Sequence, residues 1–169
     1  MRPIRYAMTA LTAILIAEPA AAEDSFREPD FITIGAGGFD INDDMTAGQL
    51  DIQLRLNTKL WIFRPHAGLF ITTDQAFYGW AGIHGDVYFG RRFVLTPSFS
   101  VGGFEESDGK DLGGPLEFRS ALEFAYRFDD ASRLGVQIGH LSNASIYDSN
   151  PGEEFAILTY SIPTTVFDR

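Results

Sequence analysis

The segment 139–155, GHLSNASIYDSNPGEEF, brings a base, hydroxyls, amides and carboxylates together within seventeen residues. His140 could accept a proton, Ser142 carries a hydroxyl two residues later, and Glu154 carries a carboxylate on the far side of the segment. In a Ser-His-acid triad the carboxylate fixes the imidazole tautomer, and the imidazole takes the proton of the attacking hydroxyl. A polar surface loop has the same composition, so the direction of each side chain decides between the two interpretations.

The chain after residue 30 alternates apolar and polar residues at every second position, which is the periodicity of β-strands. The alternation predicts eight strands, at 31–39, 46–57, 60–72, 77–89, 92–103, 116–128, 132–142 and 154–162. Their number is even, and each is close to the roughly 9–11 residues that a tilted strand needs to cross a bilayer. No helix is predicted after residue 30.

The side chains within each predicted strand separate by chemistry into two faces. In 46–57 one face holds Leu50, Ile52 and Leu54, and the other holds polar residues such as Asp51. The polar faces carry charges of both signs that could pair across a narrow interior: Arg55, Arg64, Arg119, Arg127, Asp51, Asp86, Glu117 and Glu123. This pattern, with aromatic residues near many strand ends, predicts an all-β fold, an eight-stranded antiparallel transmembrane β-barrel. A soluble lipocalin-like barrel, with its apolar face inward, is the alternative.

The two ends of the chain carry different signals. Arg2 and Arg5, a short apolar stretch and the small residues at 20–22 predict a signal peptide at 1–22, followed by a single barrel domain at 23–169. The chain ends Phe167-Asp168-Arg169, whereas outer-membrane barrels commonly end on an aromatic residue. Two explanations fit this ending: the final strand runs past Pro163 to Phe167, or the assembly signal is only loosely kept.

The composition excludes several classes of function. The chain has 13 Lys and Arg against 23 Asp and Glu, a net charge of −10, which argues against nucleic-acid binding. It has no cysteine, so neither disulfides nor thiol chemistry are available. Of its three histidines, His66 and His84 fall on the predicted interior face, where we expect them to join the polar network. We therefore expect no metal site and no cofactor.

Strand parity places the polar cluster on the outside of the barrel. Leu134, Val136 and Ile138 form the outward face of the seventh strand, and a two-residue period continues that face to His140 and Ser142. Glu154 falls on the face of Ala156 and Leu158 in the eighth strand. Because the two strands are joined by the loop 143–153, they should be antiparallel neighbours with Glu154 beside His140. Amide donors from Asn143 or Asn150 could then hold an oxyanion.

His140-x-Ser142-Asn143-Ala144, followed by Asn150-Pro151-Gly152 and Glu154, resembles the active-site hairpin of the lipid A 3-O-deacylases, the PagL family of outer-membrane enzymes. The resemblance implies an eight-stranded barrel that removes the ester-linked 3-hydroxyacyl chain from position 3 of lipid A. It implies a bacterial outer-membrane location, a lipopolysaccharide substrate and a site on the lipid-facing surface. A side-chain-filled interior could not admit a lipid, which agrees with an outward site.

The same resemblance assigns roles to single residues. Ser142 would be the nucleophile, His140 the base and Glu154 the acid of a Ser-His-Glu triad. The fourteen-residue step from His140 selects Glu154 over Glu153, and strand parity agrees. Asn150, and less closely Asn143, would match the asparagine of the oxyanion hole.

Two other functions fit the same sequence. A structural or adhesin-type outer-membrane barrel would have a hairpin that is merely polar and no activity. A lipocalin-like carrier would fractionate with soluble proteins. The sequence indicates no oligomeric state and no acyl-chain preference.

Overall fold

The computed structural model describes residues 28–42 and 46–168. The predicted signal peptide at 1–22 lies outside the described residues. The strands are β1 (Phe31–Phe39), β2 (Ala47–Arg55), β3 (Arg64–Thr72), β4 (Phe77–His84), β5 (Val87–Phe89), β6 (Phe93–Glu105), β7 (Leu116–Arg127), β8 (Arg133–Ser142) and β9 (Glu153–Pro163), followed by a short 3-10 helix, Thr164–Asp168. No helix within the described residues has the length and hydropathy to cross a membrane.

All strands pair antiparallel in one sheet, which closes on itself. The order is β4-β3-β2-β1-β9-β8-β7-β6-β5, and β4 also pairs with β6. Because β4 and β5 both pair with β6 in succession, they form one wall position that is interrupted at Gly85 and Asp86. The wall therefore has eight positions, and the predicted eight-stranded antiparallel barrel is confirmed.

Most predicted strand bounds lie within two residues of the observed ones, and the predicted fourth strand, 77–89, is interrupted between β4 and β5. The predicted third strand began at residue 60, but β3 begins at Arg64, because Leu60 and Phe63 pair across a tight turn. The predicted fifth strand ended at 103, and β6 continues to Glu105. The expectation that the last strand runs to Phe167 is wrong. Proline has no N–H for the ladder, so β9 ends at Pro163, and Thr164 N donates to the Asp30 carbonyl at 2.8 Å instead.

The interior of the barrel is charged and filled. Arg55 pairs with Glu123 at 2.7 Å, and both side chains are buried. Arg119, fully buried, lies 3.6 Å from Asp51 and has its guanidinium over the rings of Trp80 and Phe155, at 4.6 and 4.4 Å from their centroids. Charges of opposite sign therefore meet inside, as the polar faces of the strands predict.

The remaining interior groups refine that prediction. Arg64 pairs with Asp86 at 2.9 Å, as predicted, but Arg127 pairs with Glu28, which precedes the first strand. Glu117 is buried and has no ion-pair partner among the described residues. The buried His66 bonds Ser100 through Nε2 at 2.9 Å, with the ring of the other interior histidine 5.7 Å away.

The outer wall is apolar over most of its area. Large apolar side chains on it are more than a third exposed: Ile34, Leu50, Ile52, Leu54, Leu69, Ile71, Leu122, Phe124, Leu134, Val136, Ile138 and Leu158. This arrangement is typical of a small membrane barrel, in which lipid surrounds the apolar wall.

The barrel has two ends, which hold different connections between the strands. The terminal end holds the start of β1 and the end of β9, and the loop end holds the connections β1–β2, β3–β4, β6–β7 and β8–β9.

Candidate active site

The β8–β9 hairpin brings the predicted base and acid together at the loop end. His140 is paired directly with Glu154 in the antiparallel ladder, and His140 Nδ1 lies 3.2 Å from Glu154 Oε1. Both side chains point outward, with exposed fractions of 43% and 45%. Below them on the wall are the apolar side chains of Ile138 and Ala156. The pair therefore lies at the border between the apolar wall and the polar loops.

Ser142 lies two residues beyond His140 on the same outward face of β8, half-buried and opposite Phe118. No hydrogen bond joins its hydroxyl to the imidazole within the part of the chain that the structure describes. Because Nδ1 faces the carboxylate, Nε2 is the ring nitrogen left to accept a proton. Nucleophile–base contacts are often long before substrate binds, so this geometry is compatible with a triad.

Glu153, the neighbouring carboxylate, points the other way. Its side chain is buried, and Oε1 lies 2.5 Å from Lys110 Nζ, which also lies 3.5 Å from Asp40. Because strand side chains alternate in direction, a shift of one residue would exchange the environments of the two glutamates. The ladder register therefore selects Glu154 as the carboxylate that accompanies His140.

The two candidate oxyanion residues differ in what their amides already bind. Asn143 is fully buried, and its Nδ2 donates to the carbonyls of Leu112 and Ser149, at 2.7 and 2.8 Å. Asn150 is exposed, and its Oδ1 accepts from the backbone N–H of Asn143 at 3.0 Å. The side chain of Asn143 thus holds the loop together, whereas the amide group of Asn150 remains on the surface.

The β6–β7 loop, residues 106–115, packs directly against this hairpin, which the sequence analysis did not foresee. A Cβ on Gly113 would lie 2.1 Å from the Ser149 carbonyl oxygen, and one on Gly114 would lie 2.2 Å from the Tyr147 ring. Only residues without side chains allow this approach. The adjacent pair Gly113-Gly114 is the signal in the sequence that could have indicated a close contact.

Gly152, which the sequence offers only as part of the Asn150-Pro151-Gly152 motif, lies beside the imidazole of His140. Its φ is +70°, and a Cβ there would lie 2.8 Å from His140 Cε1. The position needs glycine both for its backbone conformation and for the space beside the ring. Gly152 therefore belongs to the surroundings that fix the orientation of His140.

The loop end is rich in negative charge. In the β6–β7 loop the carboxylate of Asp111 raises the pKa of Glu106 above its usual range. The structure brings no three His, Asp or Glu side chains into an arrangement that could hold a metal ion, among the residues that it describes.

A closed eight-stranded barrel with a filled interior and an apolar wall belongs to the class of small transmembrane β-barrels. The family model described as Lipid A 3-O-deacylase (PagL) matches residues 46–163, well over half of the chain. The chain therefore belongs to the lipid A 3-O-deacylase (PagL) family.

Two individual proteins resemble the chain. Lipid A deacylase PagL of Bordetella bronchiseptica (strain ATCC BAA-588 / NCTC 13252 / RB50) is 27% identical over 74 residues, which cover 43% of this chain and 42% of that protein. The match thus spans about two fifths of the length of this curated relative. The solved structure described as the outer membrane enzyme PagL superposes with a TM-score of 0.63 at 19% identity, over 79% of this chain and 99% of that one. This likeness identifies the fold.

Proposed function

We propose that the chain is an outer-membrane lipid A deacylase that hydrolyses the ester of the 3-hydroxyacyl chain at position 3 of lipid A. The observation that carries the proposal is the pairing of His140 with Glu154 on the outer wall, with Ser142 on the same face. Membership of the lipid A 3-O-deacylase family supports the substrate class. The apolar wall and the barrel fold support a location in the outer membrane.

In the first half of the reaction Ser142 Oγ attacks the ester carbonyl carbon while His140 Nε2 takes the hydroxyl proton. Glu154, at Nδ1, fixes the tautomer and stabilises the imidazolium that forms. The imidazolium then gives its proton to the departing sugar oxygen as the C–O bond breaks, which leaves an acyl-serine. A water molecule, deprotonated by His140, hydrolyses that ester and releases the 3-hydroxy fatty acid.

Asn150 is the oxyanion donor in this proposal, and Asn143 is a positioning residue. Because the Asn143 N–H binds Asn150 Oδ1, the Nδ2 group of Asn150 is the end that can face the reaction centre. Both Nδ2 donors of Asn143 are already used by carbonyls of the loops, so that side chain has none to offer. Preorganised amide donors of this kind stabilise the charge that develops on the carbonyl oxygen.

The outward position of the site gives the enzyme access to its substrate. A lipid in the bilayer meets the wall of the barrel and never its interior. The site lies at the end opposite the start of β1 and the end of β9, at the level where the apolar wall gives way to polar loops. With the termini in the periplasm, this level is the outer leaflet, where lipopolysaccharide is found.

The test is to incubate the purified, detergent-folded protein with lipopolysaccharide and to record lipid A mass spectra. We expect loss of one 3-hydroxyacyl group, from position 3. Ser142→Ala should lower the rate by about 10⁴-fold or more, with unchanged heat-modifiable migration on gels. Ser149→Ala, in an exposed serine of the same loop, is the matched control and should keep the wild-type rate.

Three results would contradict the proposal at different levels. A folded Ser142→Ala protein that still releases the hydroxyacyl chain at a near-normal rate would exclude this nucleophile. A wild-type protein with no activity on any lipid A would favour the structural or adhesin-type barrel. Recovery as a detergent-free soluble monomer would remove the membrane location itself.

A further inference from the structure

The turn between β2 and β3 exposes three consecutive large apolar side chains at the terminal end. Leu60, Trp61 and Ile62 are 55%, 82% and 62% exposed, and Trp61 is the most exposed large apolar residue among those that the structure describes. The turn is nevertheless well formed, because Leu60 and Phe63 exchange two backbone hydrogen bonds of 2.7 and 3.2 Å. An ordered turn with this much exposed apolar surface indicates an interaction site, at which another molecule covers these side chains.

The backbone conformation of Trp61 is unusual for a residue with a large side chain. Trp61 has a φ of +63°, while Ile62 does not lie in the positive region. In a two-residue hairpin loop, a positive φ at the first central position is normally supplied by glycine. A bulky side chain there costs conformational energy that the surrounding structure must offset. Trp61 therefore has a backbone conformation that favours glycine, the residue without a side chain.

The surroundings of the turn match the boundary of a bilayer. Exposed aromatic side chains lie at the same end of the barrel on four other elements or turns: Phe89, Phe93, Phe128 and Phe167. Cationic side chains accompany them, namely Lys59 in the turn itself and Arg91 before β6, whereas the adjacent Arg92 pairs with Asp129 at 2.7 Å. Tryptophan with flanking lysine and arginine is typical of the membrane–water interface, where the ring lies at the headgroups and the cations reach phosphates.

We propose that Leu60, Trp61 and Ile62 form an interfacial anchor that binds the phospholipid leaflet at the terminal end. The turn joins β2 and β3, two strands of the wall that carry the exposed Leu54 and Leu69. The indole lies among the headgroups, the two aliphatic side chains lie against the upper acyl chains, and Lys59 binds phosphate. The anchor is distinct from the candidate active site, which lies at the loop end.

The anchor sets how deep the barrel lies in the membrane. Because the strands are rigid, a fixed depth at the terminal end also fixes the level of His140 and Ser142 at the loop end. This consequence rests on the proposed deacylase function, whereas the anchor itself does not. Trp61→Gly should then lower deacylation in bilayers and leave the rate in detergent micelles unchanged, since glycine preserves the turn.

The chain has two tryptophans, so fluorescence can test the anchor directly. Trp80 is buried in the interior, and Trp80→Phe leaves Trp61 as the only indole. We would reconstitute this variant in phosphatidylcholine vesicles brominated either near the headgroups or near the chain ends. Trp61 emission should shift to the blue relative to free tryptophan amide, and headgroup-proximal bromines should quench it more strongly than deep ones. If Trp80→Phe fails to fold, the difference between wild type and Trp61→Phe gives the same signal.

Three results would overturn the anchor. Emission typical of indole in water, with no quenching by either brominated lipid, would place the turn in solvent. Protection from iodide without bromine quenching would mean that a second copy or another protein covers the turn. Stronger quenching by the deep bromines would place the turn in the hydrocarbon core. Because none of these measurements uses lipid A turnover, failure of the anchor and failure of the proposed enzyme activity are distinguishable.

Discussion

The barrel interior and the outer face of the β8–β9 hairpin each hold an acid paired with a base. Inside, Arg55 and Glu123 are 2.7 Å apart and almost completely buried. Outside, His140 and Glu154 are 3.2 Å apart and nearly half exposed. Removing one partner of a buried pair costs much stability, because the other charge is left buried alone. A half-exposed pair contributes little to stability. The interior pair is therefore suited to holding the barrel, and the outer pair is suited to chemistry.

Among the variants that test this comparison, removal of the outer carboxylate should cause the largest loss of turnover. We expect Glu154→Gln to lower deacylation by about 10⁴-fold, because a neutral amide no longer stabilises the imidazolium. Its unfolding midpoint in urea, read from loss of heat-modifiability, should stay near wild type. A Glu154→Gln protein with normal turnover would remove the acid role, whatever its stability.

Breaking the interior pair should act on stability instead. Arg55→Met leaves Glu123 buried without its partner and should cost about 3–5 kcal/mol of unfolding free energy, measured by urea titration in detergent. Replacing both residues, with Met and Leu, should recover much of the loss because no lone charge remains. The activity per folded molecule should be unchanged in both proteins. A loss of turnover in folded Arg55→Met would show that the two regions are not independent.

The β6–β7 loop packs against the hairpin, and Gly114 lies against the Tyr147 ring. In Gly114→Ala the new Cβ would meet the Tyr147 ring at 2.2 Å, so this ring, or the part of the hairpin that carries it, must shift. A displacement of about 1 Å at a reaction centre costs about 10²-fold in rate, and we expect a loss of that order in kcat. Gly103→Ala is the matched control, since its Cβ meets nothing within 4 Å. Equal rates in the two variants would mean that the loop does not position the site.

Glu153→Gln should give the smallest effect and sharpens the contrast between adjacent carboxylates. The amide loses the ion pair with Lys110 inside the barrel end, so stability should fall by about 1–3 kcal/mol. Turnover by the folded protein should stay near the wild-type rate, in contrast to Glu154→Gln. A large loss of rate for Glu153→Gln combined with a small one for Glu154→Gln would mean that the ladder register of β9 is shifted by one residue in solution.

The direction of each strand side chain was predictable because the two-residue period is local. The parity of 132–142 places His140 and Ser142 outward, and that of 154–162 separates Glu154 from Glu153, as the structure has them. The predicted meeting of His140 and Glu154 needed only one further assumption, that strands joined by a short loop are neighbours. The catalytic roles of these residues remain predictions.

Contacts between loops were not predictable, because no period links residues in different irregular segments. The packing of Gly113 and Gly114 on the hairpin and the use of both Asn143 donors depend on how two loops meet in space. The Glu28 pairs with Arg127 and Arg133 were missed for a related reason, since Glu28 precedes the first strand. Trp61 was assigned to a strand face, because the tight turn from Leu60 to Phe63 has no glycine or asparagine to indicate it.

The seam between the first and last strands has a consequence for folding. β9 pairs with β8, its neighbour in sequence, and also with β1, at the other end of the chain. Contacts between such distant segments form late, because much chain entropy is lost before they stabilise the fold. Glu154 lies on this closing strand, one residue from Phe155, which pairs with Phe39 across the seam. The His140–Glu154 pair needs only the β8–β9 hairpin, whose strands are neighbours in sequence, whereas the wall around that hairpin becomes rigid only when the cylinder closes.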